Sequence, residues 1–271
     1  HLAQFWCSRV WPEFIMKPHI VTVNIISILF MGLIAGNVVF QLRAIVLKLV
    51  RDIMKRERAE GALTRYLSRQ VAEQVLARED GDALMSGRRQ HVAVLFSDIR
   101  GFTAISESMD PVELLSLLNR YFRAMIEVIF KHEGTLDKFV GDAVMVVFGA
   151  PLEQADAELR AVRCAREMHA ALDDFNRSQT KGGGRQIPMG ITIHAGEVVA
   201  GNLGSEERME YTVLGDVVNL TQRLQSKAKA GQTIVSDTVH ERARSKFKFE
   251  ALAPFKVKGK ADPVTAFRLL T

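Results

Sequence analysis

The stretch VLFSDIRGFT (94–103) places an aspartate where an apolar run ends. Val94, Leu95 and Phe96 read as a buried strand, and Asp98 follows before the chain turns at Gly101. A carboxylate at the mouth of a core strand is costly to desolvate unless something cationic meets it. The segment therefore predicts an inner strand, His91 to Ser97, with a site at its end.

Working outward, Pro111 to His132 carries Leu114, Leu118, Phe122, Ile126 and Ile129 at helical spacing, and Asp110-Pro111 opens the helix. TLDKFVGDAVMVVFG (135–149) is two apolar runs joined at Val140-Gly141-Asp142, a hairpin signal. Asp156 to Phe175 is a second long helix, and KGGGR (181–185) a loop. PMGITIHAGEVVAGNLG (188–204) reads as two strands around Gly196, and Asp216 to Ala230 as a further helix. Strand, helix, hairpin, helix, strand is the βαββαβ order of a ferredoxin-like split unit, an α/β (α+β) fold. It occupies 91–271.

Two segments precede it. Ile20 to Phe40 contains no charged residue, and its length suits the roughly 20 residues of a membrane-spanning helix. Arg43, Lys48, Arg51, Lys55, Arg56 and Arg58 follow it and outweigh Arg9 and Lys17 on the other side. The positive-inside rule then puts everything after Phe40 in the cytoplasm. Residues 1–41 are expected to be the transmembrane helix and its flank, in contact with the lipid bilayer. Residues 42–90 are expected to be a helical connector. Its Leu42, Val46, Leu49 and Ile53 suit either a short coiled-coil seam or an amphipathic helix on the membrane surface. The chain opens on His1, as a fragment of a longer protein would.

Composition narrows the function classes. The net charge is +5, and much of the excess lies in the cluster after residue 40, so the basic balance is no nucleic-acid footprint. Cys7 and Cys164 lie far apart without metal-ligand spacing, which argues against a disulfide framework or a zinc site.

The chemistry concentrates on two carboxylates. Asp98 ends the first strand and Asp142 sits at the hairpin turn. In a βαββαβ sheet these elements are neighbours, so the two side chains can converge. Two bare carboxylates repel each other. A hard divalent cation such as Mg²⁺, which takes one or two protein carboxylates plus substrate phosphates, relieves the repulsion.

FSDIRGFT, DKFVGDAVMVVFGAP, IHAGEVVAGNLG, YTVLGDVVNLTQRL and KVKGKADPV occur in that order along the chain. Together they resemble the catalytic domain of class III nucleotidyl cyclases, over 91–271. The resemblance implies that Asp98 and Asp142 hold two Mg²⁺ ions, with Mn²⁺ able to substitute, and that Ile99 adds its backbone carbonyl. Phe102 and Thr103 would turn backbone N–H groups toward the triphosphate. Lys138 matches the adenine-reading lysine and Thr212 the second base-reading position. Many members have Asp at that second position. The Lys/Thr pairing is that of a bacterial adenylyl cyclase subgroup, whereas the guanylyl branch usually has Glu and Cys.

Asn219 and Arg223, four apart on one helix, match the pair that orients the ribose and meets charge on the α-phosphate. Lys258 matches the phosphate-binding lysine, with Lys260 close by. The resemblance further implies a homodimer with shared sites, ATP as substrate, and a place at the bacterial inner membrane with the catalytic domain cytoplasmic. The alternatives are a guanylyl cyclase and a degenerate domain that only binds nucleotide. His194, in TIHAG, reads as a packed, hydrogen-bonded histidine rather than a general base.

Overall fold

The computed structural model describes residues 87–205, 208–257 and 262–270, with eight isolated positions between 23 and 48. The chain forms two units, His1–Ala59 and Glu60–Thr271. In the first, the described positions are helical, and Val23, Ile26, Phe30, Met31 and Leu33 among them are exposed. The span expected over 20–40 otherwise lies outside the described residues, as does the connector. Among the described residues, no helix is long and apolar enough to cross a membrane.

In the second unit, β1 (Arg88–Ile99) is flanked by β3 (Ala143–Phe148) and β4 (Met189–Ser205), and β2 (Thr135–Val140) lies outside β3. The order β2-β3-β1-β4 is antiparallel at every step. This is the ferredoxin-like arrangement that the motif order predicts. The sheet continues through β6 (Thr233–Ser236), β8 (Ala266–Leu270) and β7 (Lys248–Ala251). β5 (Arg208–Leu214) pairs with the far half of β4.

Because β1 is bonded along both edges and covered on both faces, Val92, Ala93, Val94 and Leu95 are fully buried. The period-two alternation of a strand divides them between two cores. Ala93 and Leu95 face a core with helices α2 (Pro111–Lys131) and α3 (Ala157–Lys181). Val92, Val94 and Phe96 face a smaller one, with Val198, Val213 and Val217.

Asp110 caps α2, its Oδ1 accepting from Val112 N at 2.9 Å and Glu113 N at 3.3 Å, and Pro111 opens the helix. The face buried deepest is Leu117, Tyr121, Met125, Val128 and Ile129. Leu114, Leu118, Phe122 and Ile126 pack beside it, half-buried. The predicted apolar stripe is thus the flank of a wider buried arc, since a helix on a sheet buries more than one row.

Several boundaries differ from expectation. The helix expected over Asp216 to Ala230 ends at Leu224, followed by a 3-10 turn over Gln225–Lys227. β1 runs from Arg88 to Ile99, so Arg88 to Gln90 belong to the sheet and not to the connector, and Asp98 lies within the strand. α3 runs on to Lys181. The two strands expected around Gly196 are one continuous β4. Gly196 is there for a close approach: a Cβ would sit 2.9 Å from Val217 Cγ2, in helix α4 (Asp216–Leu224), which packs across the strand.

Candidate active site

Asp98 is the penultimate residue of β1, and Asp142 lies in the turn between β2 and β3. Gly141 makes that turn at φ 64°, where a side chain would be strained. β3 pairs beside β1, so the turn meets the end of β1. There the Ile99 N–H donates to Asp142 Oδ2 at 3.1 Å. Burial pushes the Asp98 carboxyl above its usual range; the Arg100 guanidinium opposes this and the Asp142 charge adds to it. The two carboxylates thus share one electrostatic neighbourhood, as their topology predicts.

The residue sequence reasoning missed here is Arg100. Its Nη2 lies 3.1 Å from Asp98 Oδ1, and Nη2 also donates to Gln225 Oε1. Gly190 makes room for it, because a Cβ there would sit 2.7 Å from Arg100 Nε. Ile99 is buried at the strand end. Gly101, at φ 70°, precedes α1 (Phe102–Glu107). The Phe102 ring packs against the main core and Thr103 is exposed, so Phe102 would meet a ligand through its backbone.

Among the described residues, no group of three or more His, Cys, Asp or Glu side chains could hold a metal. The donors present are two carboxylates and backbone oxygen, with like charges adjacent. That hard, electron-rich set fits Mg²⁺, which completes its octahedron with water and phosphate oxygens.

A second cluster joins β2 to β5. Thr212 Oγ1 donates to Asp137 Oδ2 at 3.0 Å. Lys138 Nζ lies 3.6 Å from the same Asp137 oxygen and 3.4 Å from Glu210 Oε2. The structure therefore brings Lys138 and Thr212 together, 74 positions apart in the numbering, on a carboxylate that sequence reasoning passed over. Asp137 and Thr212 are buried; Lys138 is half-exposed. The only available signal for Asp137 was its place beside Lys138 in DKFVGD.

α4 buries Val217, Leu220, Thr221 and Leu224. This leaves Asn219 exposed and Arg223 half-buried. Among the described residues, Arg223 has no carboxylate partner. Lys258 and Lys260 lie outside the described residues. His194 Nδ1 is hydrogen-bonded to Ser236 Oγ at 2.8 Å, a packed position within the sheet.

Residues 84–270 match the family model of the adenylate and guanylate cyclase catalytic domain. The chain belongs to this family, the class III nucleotidyl cyclases. Its relatives fall on both sides of the base choice. Adenylate cyclase 1 of Rhizobium meliloti is 34% identical over 184 residues, which is 67% of this chain and 28% of that protein. The chain thus aligns with under a third of that relative's length. The guanylyl cyclase Cya2 structure is 44% identical with a TM-score of 0.66, covering 68% of this chain and 94% of that one. The adenylyl cyclase CyaB of P. aeruginosa is 33% identical with a TM-score of 0.66, covering 69% and 96%.

Proposed function

We propose that this chain is the catalytic part of a membrane-tethered adenylyl cyclase, converting ATP to 3′,5′-cyclic AMP and pyrophosphate at a homodimer interface. The observation that carries the base choice is the meeting of Lys138 and Thr212 on Asp137. A lysine donor suits N1 of adenine and a hydroxyl suits its N6 amino group. Guanine presents O6 and a protonated N1 instead.

Asp98 and Asp142, with the Ile99 carbonyl, would hold two Mg²⁺ ions, for which Mn²⁺ could substitute. Bound there, the ions supply acidification of the ribose 3′-hydroxyl and charge neutralisation on the leaving pyrophosphate. Arg223 meets the charge that develops on the α-phosphate, and Asn219 orients the ribose. Lys258 and the N–H groups of Phe102 and Thr103 bind phosphate. The exposure of Asn219 and the absence of a carboxylate partner for Arg223 among the described residues support their use by a ligand or a second subunit.

The uncharged run 20–40, with exposed helical positions at Val23, Ile26, Phe30, Met31 and Leu33, supports a membrane anchor. The catalytic domain then lies on the cytoplasmic side of a bacterial plasma membrane. The domain limits 1–41, 42–90 and 91–271 belong to the same proposal.

The test is product analysis of the purified protein with ATP or GTP and Mg²⁺. Cyclic AMP should dominate at matched substrate levels. Equal or greater cyclic GMP formation refutes the adenylyl reading. It would favour the second reading, a guanylyl cyclase, for which the 44% identity to Cya2 speaks.

A further inference from the structure

A hydroxyl can donate or accept, so Thr212 alone does not tell adenine from guanine. We propose that Asp137 is a specificity-determining residue: it takes the Thr212 proton and so presents the hydroxyl oxygen to the base as an acceptor only. The proposal deepens the adenylyl reading and rests on it.

The backbone is built to deliver this carboxylate. Leu136 pairs with Val146 and Lys138 with Met145, so Asp137 is an extra residue between consecutive pairs, a β-bulge. In a regular strand, neighbours point to opposite faces. A bulge re-aims a side chain, and here adjacent Asp137 and Lys138 both reach the edge of β5. Asp137 is 7% exposed and Thr212 4%, and a buried carboxylate is tolerated only with donors around it. Burial pushes the Asp137 carboxyl up; Thr212, Lys138 and the Val213 N–H oppose it.

All three of those partners are donors. An ionised carboxylate carries no proton, so the Thr212 hydrogen points at Asp137 and the oxygen lone pairs are left for the ligand. An acceptor pairs with the N6 amino group of adenine and repels O6 of guanine. Lys138, held at 3.6 Å by the same carboxylate, keeps its donors for N1. One buried carboxylate thereby sets the polarity of Thr212 and helps to position Lys138, whose ammonium is a donor in any setting. Asp137 acts through Thr212 and Lys138, which makes it a positioning residue.

The experiment compares kcat/KM for ATP and GTP in single and double variants of the full chain. Asp137→Asn is nearly isosteric, but its amide can donate to Thr212 and turn the hydroxyl outward. The ATP-over-GTP ratio should fall by about tenfold or more, the scale of one mispaired buried polar group. Thr212→Val should lose the ratio similarly and Thr212→Ser should keep it. In the Thr212→Val background, adding Asp137→Asn should move the ratio by less than about twofold, because the two residues act as one unit.

Equal losses for both nucleotides in Asp137→Asn, with the ratio kept, would make Asp137 a strut between strands and overturn the proposal. A wild type that prefers GTP overturns the adenylyl reading as well, so the two failures are distinguishable. Inosine triphosphate provides a check that needs no variant. It carries O6 without the 2-amino group, so the wild type should reject it as it rejects GTP. Turnover of inosine triphosphate at the ATP rate overturns the proposal.

Discussion

The backbone N–H of Ile99 donates to the carboxylate of Asp142 at 3.1 Å, across 43 residues of chain. Together with the β1–β3 ladder, which reaches Ser97 and Val144, this bond fastens the β2–β3 turn to the end of β1. It fixes where the second carboxylate stands relative to Asp98. The orientation of one acid is therefore set by the strand that carries the other.

Replacing either acid should therefore remove turnover while leaving the fold. Asp98→Asn and Asp142→Asn should each lower kcat by at least about a hundredfold, since metal stabilisation of the transition state amounts to several kcal/mol. Circular dichroism should be unchanged, and Mn²⁺ bound in the presence of a non-hydrolysable ATP analogue, read by electron paramagnetic resonance, should fall. Near-wild-type turnover in either folded variant would end the two-carboxylate metal site.

Shared sites can be tested by complementation. Asp98→Asn removes a proposed metal ligand, and Asn219→Ala with Arg223→Ala removes the proposed transition-state pair. Each protein alone should be almost inactive. In a mixed dimer one site collects both lesions and the other none. Random pairing at equal amounts makes about half the dimers mixed, so activity should return to at most roughly a quarter of wild type. Demonstrated subunit exchange with no recovery would place all the catalytic residues of a site within one chain.

Glu167 provides a pH test of stability away from the site. Lys131 and His132 both hydrogen-bond its carboxylate and lower its pKa, Lys131 contributing most. A lowered folded pKa means the native state favours the ionised form. The stabilisation is then fully present above the unfolded value of about 4.3 and lost as pH falls through the lowered folded value. The side chain is still 35% exposed, so screening by water holds the cost of Glu167→Gln to no more than about 1 kcal/mol at pH 7. Thermal melts should show the gap between variant and wild type closing below the unfolded value. A gap of constant size down to pH 2 would exclude an ionic origin.

Topology is open to a fusion assay. A reporter active only in the cytoplasm, joined after Glu60, should be active in bacteria. An alkaline phosphatase joined at the same place should be silent. The opposite pair of results would reverse the orientation argued from Arg43, Lys48, Arg51, Lys55, Arg56 and Arg58.

Local patterns made much of this molecule readable before any coordinates. Short apolar runs, the Asp110-Pro111 start and Gly141 at its turn announce strand, helix and hairpin, because each depends on neighbours a few residues away. The βαββαβ order then puts Asp98 beside Asp142, since a split unit of this kind inserts the hairpin next to the first strand. What stayed hidden depends on partners remote in sequence. Gly196 looks like a break between strands, but it is the gap that lets Val217 approach one unbroken β4. Arg100 finds Gln225, just past the end of α4, only once that helix lies across the sheet. Asp137 would point away from its neighbour Lys138 in a regular strand. A bulge, imposed by how β2 pairs with β3, turns it toward Thr212. No residue-by-residue rule contains that pairing, because a bulge belongs to two strands at once.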